Sequence, residues 1–157
     1  MSSYLVRHAR FSRCRQYRYT LKREWGDGDA VMFVGLNPST ADHRIDDPTV
    51  RRCVGFAQRW GFGSLLLTNL FGFRSTDPSI LPDIKDPVGP SNDRIIREVA
   101  KDATLIIVAW GSNGNLQQRD GQILEWLPDP HCLGFTKSGC PRHPLYMPSS
   151  AVPVPFL

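Results

Sequence analysis

The chain has 157 residues, 41% hydrophobic and 22% charged, with a net charge of +4. That length suffices for one domain, residues 1–157, whose core needs neither disulfides nor metals, and no apolar run approaches a bilayer span. The opening MSSYLVRHARFSRCRQYRY has no apolar stretch behind its basic residues, so no secretory signal is expected and the expected location is cytoplasmic.

In chain order, residues 1–29 read as a basic hairpin or extension. Arg7, Arg10, Arg13, Arg15, Arg18, Lys22 and Arg23 crowd it, interleaved with Phe11, Tyr17 and Tyr19. This pattern suits phosphate contact with base stacking, or equally a solvated hairpin face. RQYRYTLKREW alternates and meets the turn signal GDGD, so a strand or hairpin precedes the main fold. AVMFVGL is a continuous apolar run ending in NPST, as a buried parallel strand reads where it empties into a loop. A helix is expected from Asp47-Pro48-Thr49, with Val50, Cys53, Val54, Ala57 and Trp60 on one face, ending at Gly61 and Gly63.

SLLLTNLF is the second buried strand, followed by a long loop from Gly72 to Pro90 that is either functional or mobile. Ser91 or Asn92 caps the helix NDRIIREVAKDA, and TLIIVAW is the third strand, stopped by GSNGN. GQILEWL reads as a short helix and HCLGF as a fourth strand before TKSGCPRHPLYMP. Alternating strands and helices define a parallel α/β sheet with right-handed crossovers, whose ligands bind outside the carboxyl ends of the strands. The four cysteines, Cys14, Cys53, Cys132 and Cys140, show no Cys-x-x-Cys pair. His131 and His143 lie near two of them, but reduced structural thiols are expected rather than a metal or iron–sulfur site, and no cofactor is expected.

Four segments follow strand ends: GLNPST, TNLF, WGSNGN and RHPLY. Each alone has a plain structural reading, as a tight turn, a strand-ending Asn, a core Trp before a turn Gly, and a surface His before Pro. Together and in order, they resemble the uracil-DNA glycosylase superfamily over residues 30–147. That resemblance implies a three-layer sandwich with a central four-stranded, mostly parallel sheet, carrying the hairpin at its start.

It also implies site residues. Asn37 takes the Asp/Asn position of the Gly-x-Asp/Asn-Pro loop that positions the attacking water, beside Gly35, Leu36, Pro38 and Ser39. Asn69, with Phe71, would read the pyrimidine edge; Trp110, Gly111 and Ser112 match the Trp-Gly-Ser that ends the third strand. His143, before Pro144, would stabilise the departing base through an oxyanion-hole type of hydrogen bond. An amide cannot act as a general base, so Asn37 only orients water, and Asp42, Asp46 or Asp47 downstream would supply a carboxylate.

Two departures carry expectations of their own. Ser39 stands where uracil-specific enzymes place a Tyr that blocks the 5 position, which implies room for 5-substituted pyrimidines. Leu145-Tyr146 replaces Ser-Pro in the last loop, where either residue would wedge into the gap left by a flipped base. Arg13, Arg15, Arg18 and Arg142 would join them on nucleic acid. The segments RCRQYRY, LNPSTAD, DDPTVRRC and TKSGCPRHPLY also resemble the bacterial domain-of-unknown-function family 1643, which implies no activity.

The expected function is thus a DNA glycosylase acting, as a monomer on duplex or single-stranded DNA, on a damaged, mismatched or modified pyrimidine. A non-catalytic nucleic-acid or nucleotide binding module is the alternative, and a nucleoside or nucleotide hydrolase a third, since fold alone does not choose among them.

Overall fold

The computed structural model describes residues 3–157, so the first two residues of the expected extension lie outside the described residues. Seven strands form one sheet in the order β1-β2-β4-β3-β5-β6-β7. They are β1 (Val6–Phe11), β2 (Arg18–Glu24), β3 (Ala30–Gly35), β4 (Ser64–Asn69), β5 (Leu105–Val108), β6 (His131–Cys132) and β7 (Val154–Pro155). The helices are α1 (Pro48–Arg59), α2 (Asn92–Asp102) and α3 (Arg119–Leu124). The α/β class is as expected, but the sheet has seven strands rather than four. β4, β3, β5 and β6 run parallel, while β2 joins β4, β1 joins β2 and β7 joins β6 antiparallel.

Of the two readings of the amino-terminal segment, the hairpin holds: β1 and β2 pair antiparallel. It does not stand ahead of the fold, because Leu21–Glu24 pair with Ser64–Leu67 and so continue the sheet. HCLGF contributes a strand of only His131–Cys132. A backbone this short pairs only through its neighbours, β5 on one side and β7 on the other.

β3 shows why the sheet is covered on both faces. Its apolar run leaves no polar side, so Val31 and Phe33 pack with Val50, Cys53, Val54 and Ala57 of α1, whereas Met32 and Val34 pack with Ile96 and Ala100 of α2 and Ile123 of α3. α1 begins where Asp47 accepts a hydrogen bond from Val50 N at 2.9 Å with Pro48 at the first helical position, a cap typically contributing about 1 kcal/mol. Ser91 precedes α2 without a side-chain capping bond. Because β3 connects through α1 to β4 on one side, and β5 follows α2 on its other side, the strand order reverses around β3. A crevice opens at that point, beyond the carboxyl ends of the strands. Among the described residues, no helix is long and apolar enough to cross a membrane.

Candidate functional site

A pocket of about 450 Å³ occupies this crevice. Its lining brings together Gly35, Leu36, Asn37, Pro38 and Ser39 after β3, Asn69 at the end of β4, Trp110, Gly111 and Ser112 after β5, and His143, Leu145 and Tyr146 from the last loop. Those are the four segments the sequence singled out. Phe71 is not among the lining residues; it is fully buried in the core on the α2 face, two residues past the strand end. Arg13 and Arg15 lie outside the pocket on the exposed β1–β2 turn, and Arg142 donates from Nε to Phe135 O at 2.9 Å.

The polar groups within the pocket differ in how far the protein satisfies them. Asn69 is 4% exposed, and its buried Nδ2 has no hydrogen-bond partner. Its carboxamide lies so close to β3 that a Cβ on Gly35 would sit 2.6 Å from Oδ1, which makes Gly35 a packing requirement rather than a turn. Asn37 is already engaged: Nδ2 donates to Ser75 O at 3.0 Å, and Pro38 O accepts from Ser75 N at 2.9 Å. These bonds fasten the GLNPST loop to the Ser75–Pro78 stretch, which forms the facing wall.

His143 is extended before the 3₁₀ turn Pro144–Tyr146, and its Nδ1 accepts from Leu145 N at 3.2 Å. A ring nitrogen that accepts carries no proton, so the neutral imidazole holds its hydrogen on Nε2, free to donate. Burial pulls the imidazole below its ordinary value, with the Asp47 carboxylate partly opposing it, which favours the neutral ring. Gly111, at φ +77°, makes the left-handed turn that brings the third segment beside this histidine, where its own Cβ would lie 3.9 Å from His143 Cβ.

The structure separates the three aspartates. Asp42 Oδ1 accepts from Arg44 N and Ile45 N, bonds that hold its carboxyl below the ordinary range within its own turn. Asp46 takes the Tyr4 hydroxyl and pairs with Arg23 Nε at 2.9 Å. Only Asp47 of the three lines the pocket.

Arg18 requires a correction. It is not a surface arm for nucleic acid but 2% exposed, lining the pocket. β2 lies between β1 and β4 and buries Arg18, Tyr19, Leu21 and Arg23, so the basic run loses Arg18 and Arg23 to the interior, leaving Arg7, Arg10, Arg13 and Arg15 exposed. Its aromatic residues are engaged within the protein as well. Tyr17 and Tyr19 stack on each other with ring centroids 6.2 Å apart, and the Arg15 guanidinium lies over Phe11 at 4.2 Å.

Sequence reasoning also missed Thr49, Ser75 and Thr76 in the lining. The signal for the last two was the long Gly72–Pro90 loop, too long for a plain connection in a compact domain. The cysteines are free thiols, and among the described residues no three His, Cys, Asp or Glu side chains gather as a metal site.

Comparison with known proteins places the chain in one family. Residues 18–145 match the family model described as "Protein of unknown function (DUF1643)", and the chain belongs to that family. No curated protein and no solved structure matches it.

Proposed function

We propose that the chain is a DNA glycosylase that hydrolyses the N-glycosidic bond of a damaged, mismatched or modified pyrimidine. The observation that carries this reading is the buried, unpartnered Nδ2 of Asn69, in a pocket shared with His143 and Asn37. A buried donor without a partner costs about 1–3 kcal/mol, and a base edge entering the pocket would supply the missing acceptor. Further support comes from the grouping of all four segments at one end of neighbouring parallel strands with helices on both faces, in keeping with a sandwich of the uracil-DNA glycosylase kind.

In this reading Asn69 holds the base edge while the bond from the sugar to the base breaks, its electron pair departing on the base. His143 Nε2–H donates to the oxygen on which that charge gathers. A water held by Asn37 Oδ1 attacks the sugar carbon and gives its proton to Asp47, which takes the role that an amide cannot fill. Ser39 leaves space for a substituent. Leu145 and Tyr146, 41% and 78% exposed, stand at the pocket mouth to fill the gap in the stack. The use of Asn37 Nδ2 as a tie between loops is what favours the alternative, a binding module on the same fold.

An abasic-site assay separates the two. Oligonucleotides containing uracil, mismatched thymine and 5-substituted pyrimidines are incubated with the protein and then cleaved with alkali. The glycosylase reading expects a cut at one base that disappears in Asn69→Ala and His143→Ala. No cut at any base, together with salt-dependent binding of the same oligonucleotides, leaves the binding module.

A further inference from the structure

Three arginines, Arg18, Arg23 and Arg119, are each at most 2% exposed, and the protein treats them unequally. Arg23 pairs with Asp46 and donates to the carbonyls of Lys22 and Asp42. Arg119 gives Nε and Nη2 to Leu70 O at 3.1 and 2.9 Å, and Nη1 to Gln122 Oε1 at 2.8 Å, with Asp93 2.9 Å away. Arg18 makes one bond, Nη1 to Ala41 O at 3.0 Å, while its buried Nε has no partner. Among the described residues no carboxylate reaches within 4.0 Å of it.

A guanidinium offers five N–H donors in a planar fork, and a buried one is retained where acceptors complete that fork. Arg18 alone of the three lines the pocket. The donors left unfilled therefore belong to the one buried arginine that a ligand can reach. Asp47, also in the lining, offsets part of the charge from a distance, but its Oδ1 is committed to Val50 N and it does not bond the guanidinium. Burial draws Arg18 down to about 10, so it remains a cation at neutral pH.

We propose that Arg18 is a specificity residue that makes this pocket select a ligand bearing an acceptor-only anionic group, a carboxylate or phosphate, which completes the guanidinium fork. This rests on the glycosylase reading only in taking the ligand to be a pyrimidine nucleoside or nucleotide. Two sources supply such a group there: an acidic substituent on the base, or the phosphate of the nucleotide.

Calorimetric titration of the intact protein tests this without any bond being broken. The probes are 2′-deoxycytidine, its 5-methyl and 5-carboxyl derivatives, and 2′-deoxycytidine 5′-monophosphate. One of the two anionic probes is expected to bind about tenfold or more tightly than the neutral ones. That advantage disappears in Arg18→Gln, which binds the anionic and the neutral probes with equal affinity. A gain with the 5-carboxyl probe assigns the group to the base, and a gain with the monophosphate assigns it to the nucleotide.

Equal binding of neutral and anionic probes overturns the proposal, as does an advantage that survives Arg18→Gln, or no binding by any probe. Circular dichroism checks that the variant folds. If it does not, the comparison among probes on the unchanged protein, repeated with Arg18→Lys, decides. Base excision without anionic preference defeats this inference alone, and anionic preference without excision defeats the glycosylase reading alone.

Discussion

On the α2 side of the carboxyl end of β4, Asn92 Nδ2 donates to the carbonyls of Asn69 and Leu70 at 3.0 and 3.1 Å, and Arg119 adds two bonds to Leu70 O. On the pocket side of the same strand end, Asn69 Nδ2 has no partner, and Arg18 makes a single bond. Residue types are matched across the two regions, an asparagine and an arginine in each. Their hydrogen bonding is not, although Asn92 Oδ1 also lacks a partner. The scaffold region uses polar groups to lock α2 and α3 to the strand end. The pocket region leaves the same chemistry unfilled, and in the function proposed above the missing acceptor comes from a ligand.

Paired substitutions test that contrast most strongly. Arg119→Met is expected to cost about 3 kcal/mol of stability, because it strips Leu70 O of two donors. Arg18→Met is expected to change stability by about 1 kcal/mol or less, since an isosteric apolar chain replaces a poorly paired buried charge. Urea unfolding of both variants measures the difference, and equal losses would erase the distinction between scaffold and pocket. Next in size, Gly35→Ala pushes a Cβ against Asn69 Oδ1 and is expected to lower excision about 100-fold by misplacing the carboxamide. Its urea midpoint should move far less, which separates a displaced side chain from a damaged fold.

The pH dependence is a smaller effect. Burial depresses the His143 imidazole below its ordinary 6.5, so the folded state favours the neutral ring. Its contribution is fully present above 6.5 and is lost as pH falls through the lower folded value. Unfolding measured at about pH 7.5 and about pH 5.5 should therefore show a shallower decline in His143→Ala than in the unchanged protein. The smallest change is expected for Tyr146→Ala, within about 0.5 kcal/mol in stability because the side chain is mostly exposed. Oligonucleotide affinity should nonetheless fall.

The contrast also shows what a sequence can and cannot display. β3, β4 and β5 were legible because strands buried on both faces are written as continuous apolar runs, and α1 and α2 because a helix with one buried face repeats near 3.6 residues. The four segments of the pocket were legible as segments. The fate of Arg18 was not, since Arg13, Arg15 and Arg18 look alike until β2 is known to pair with β4 and to bury Arg18. Nor could the sequence choose among Asp42, Asp46 and Asp47. That choice depends on Tyr4 and Arg23, far away in the chain, claiming Asp46. β6 was legible only as the longer run HCLGF, and β7, two residues long, carries too little periodicity to be read at all.

One consequence of β1 lies outside ligand chemistry. It pairs with β2 from Val6 to Phe11, with a bulge at Arg10/Phe11, and presents Arg7, His8 and Arg10 to solvent. The family match starts at Arg18, beyond this strand. A chain stripped of β1 would expose the bonding edge of β2, a strand that carries the buried Tyr19 and Leu21, and such edges recruit other copies into aggregates. β1 covers that edge, and its exposed cationic residues and the bulge near its end are features that disfavour further strand pairing.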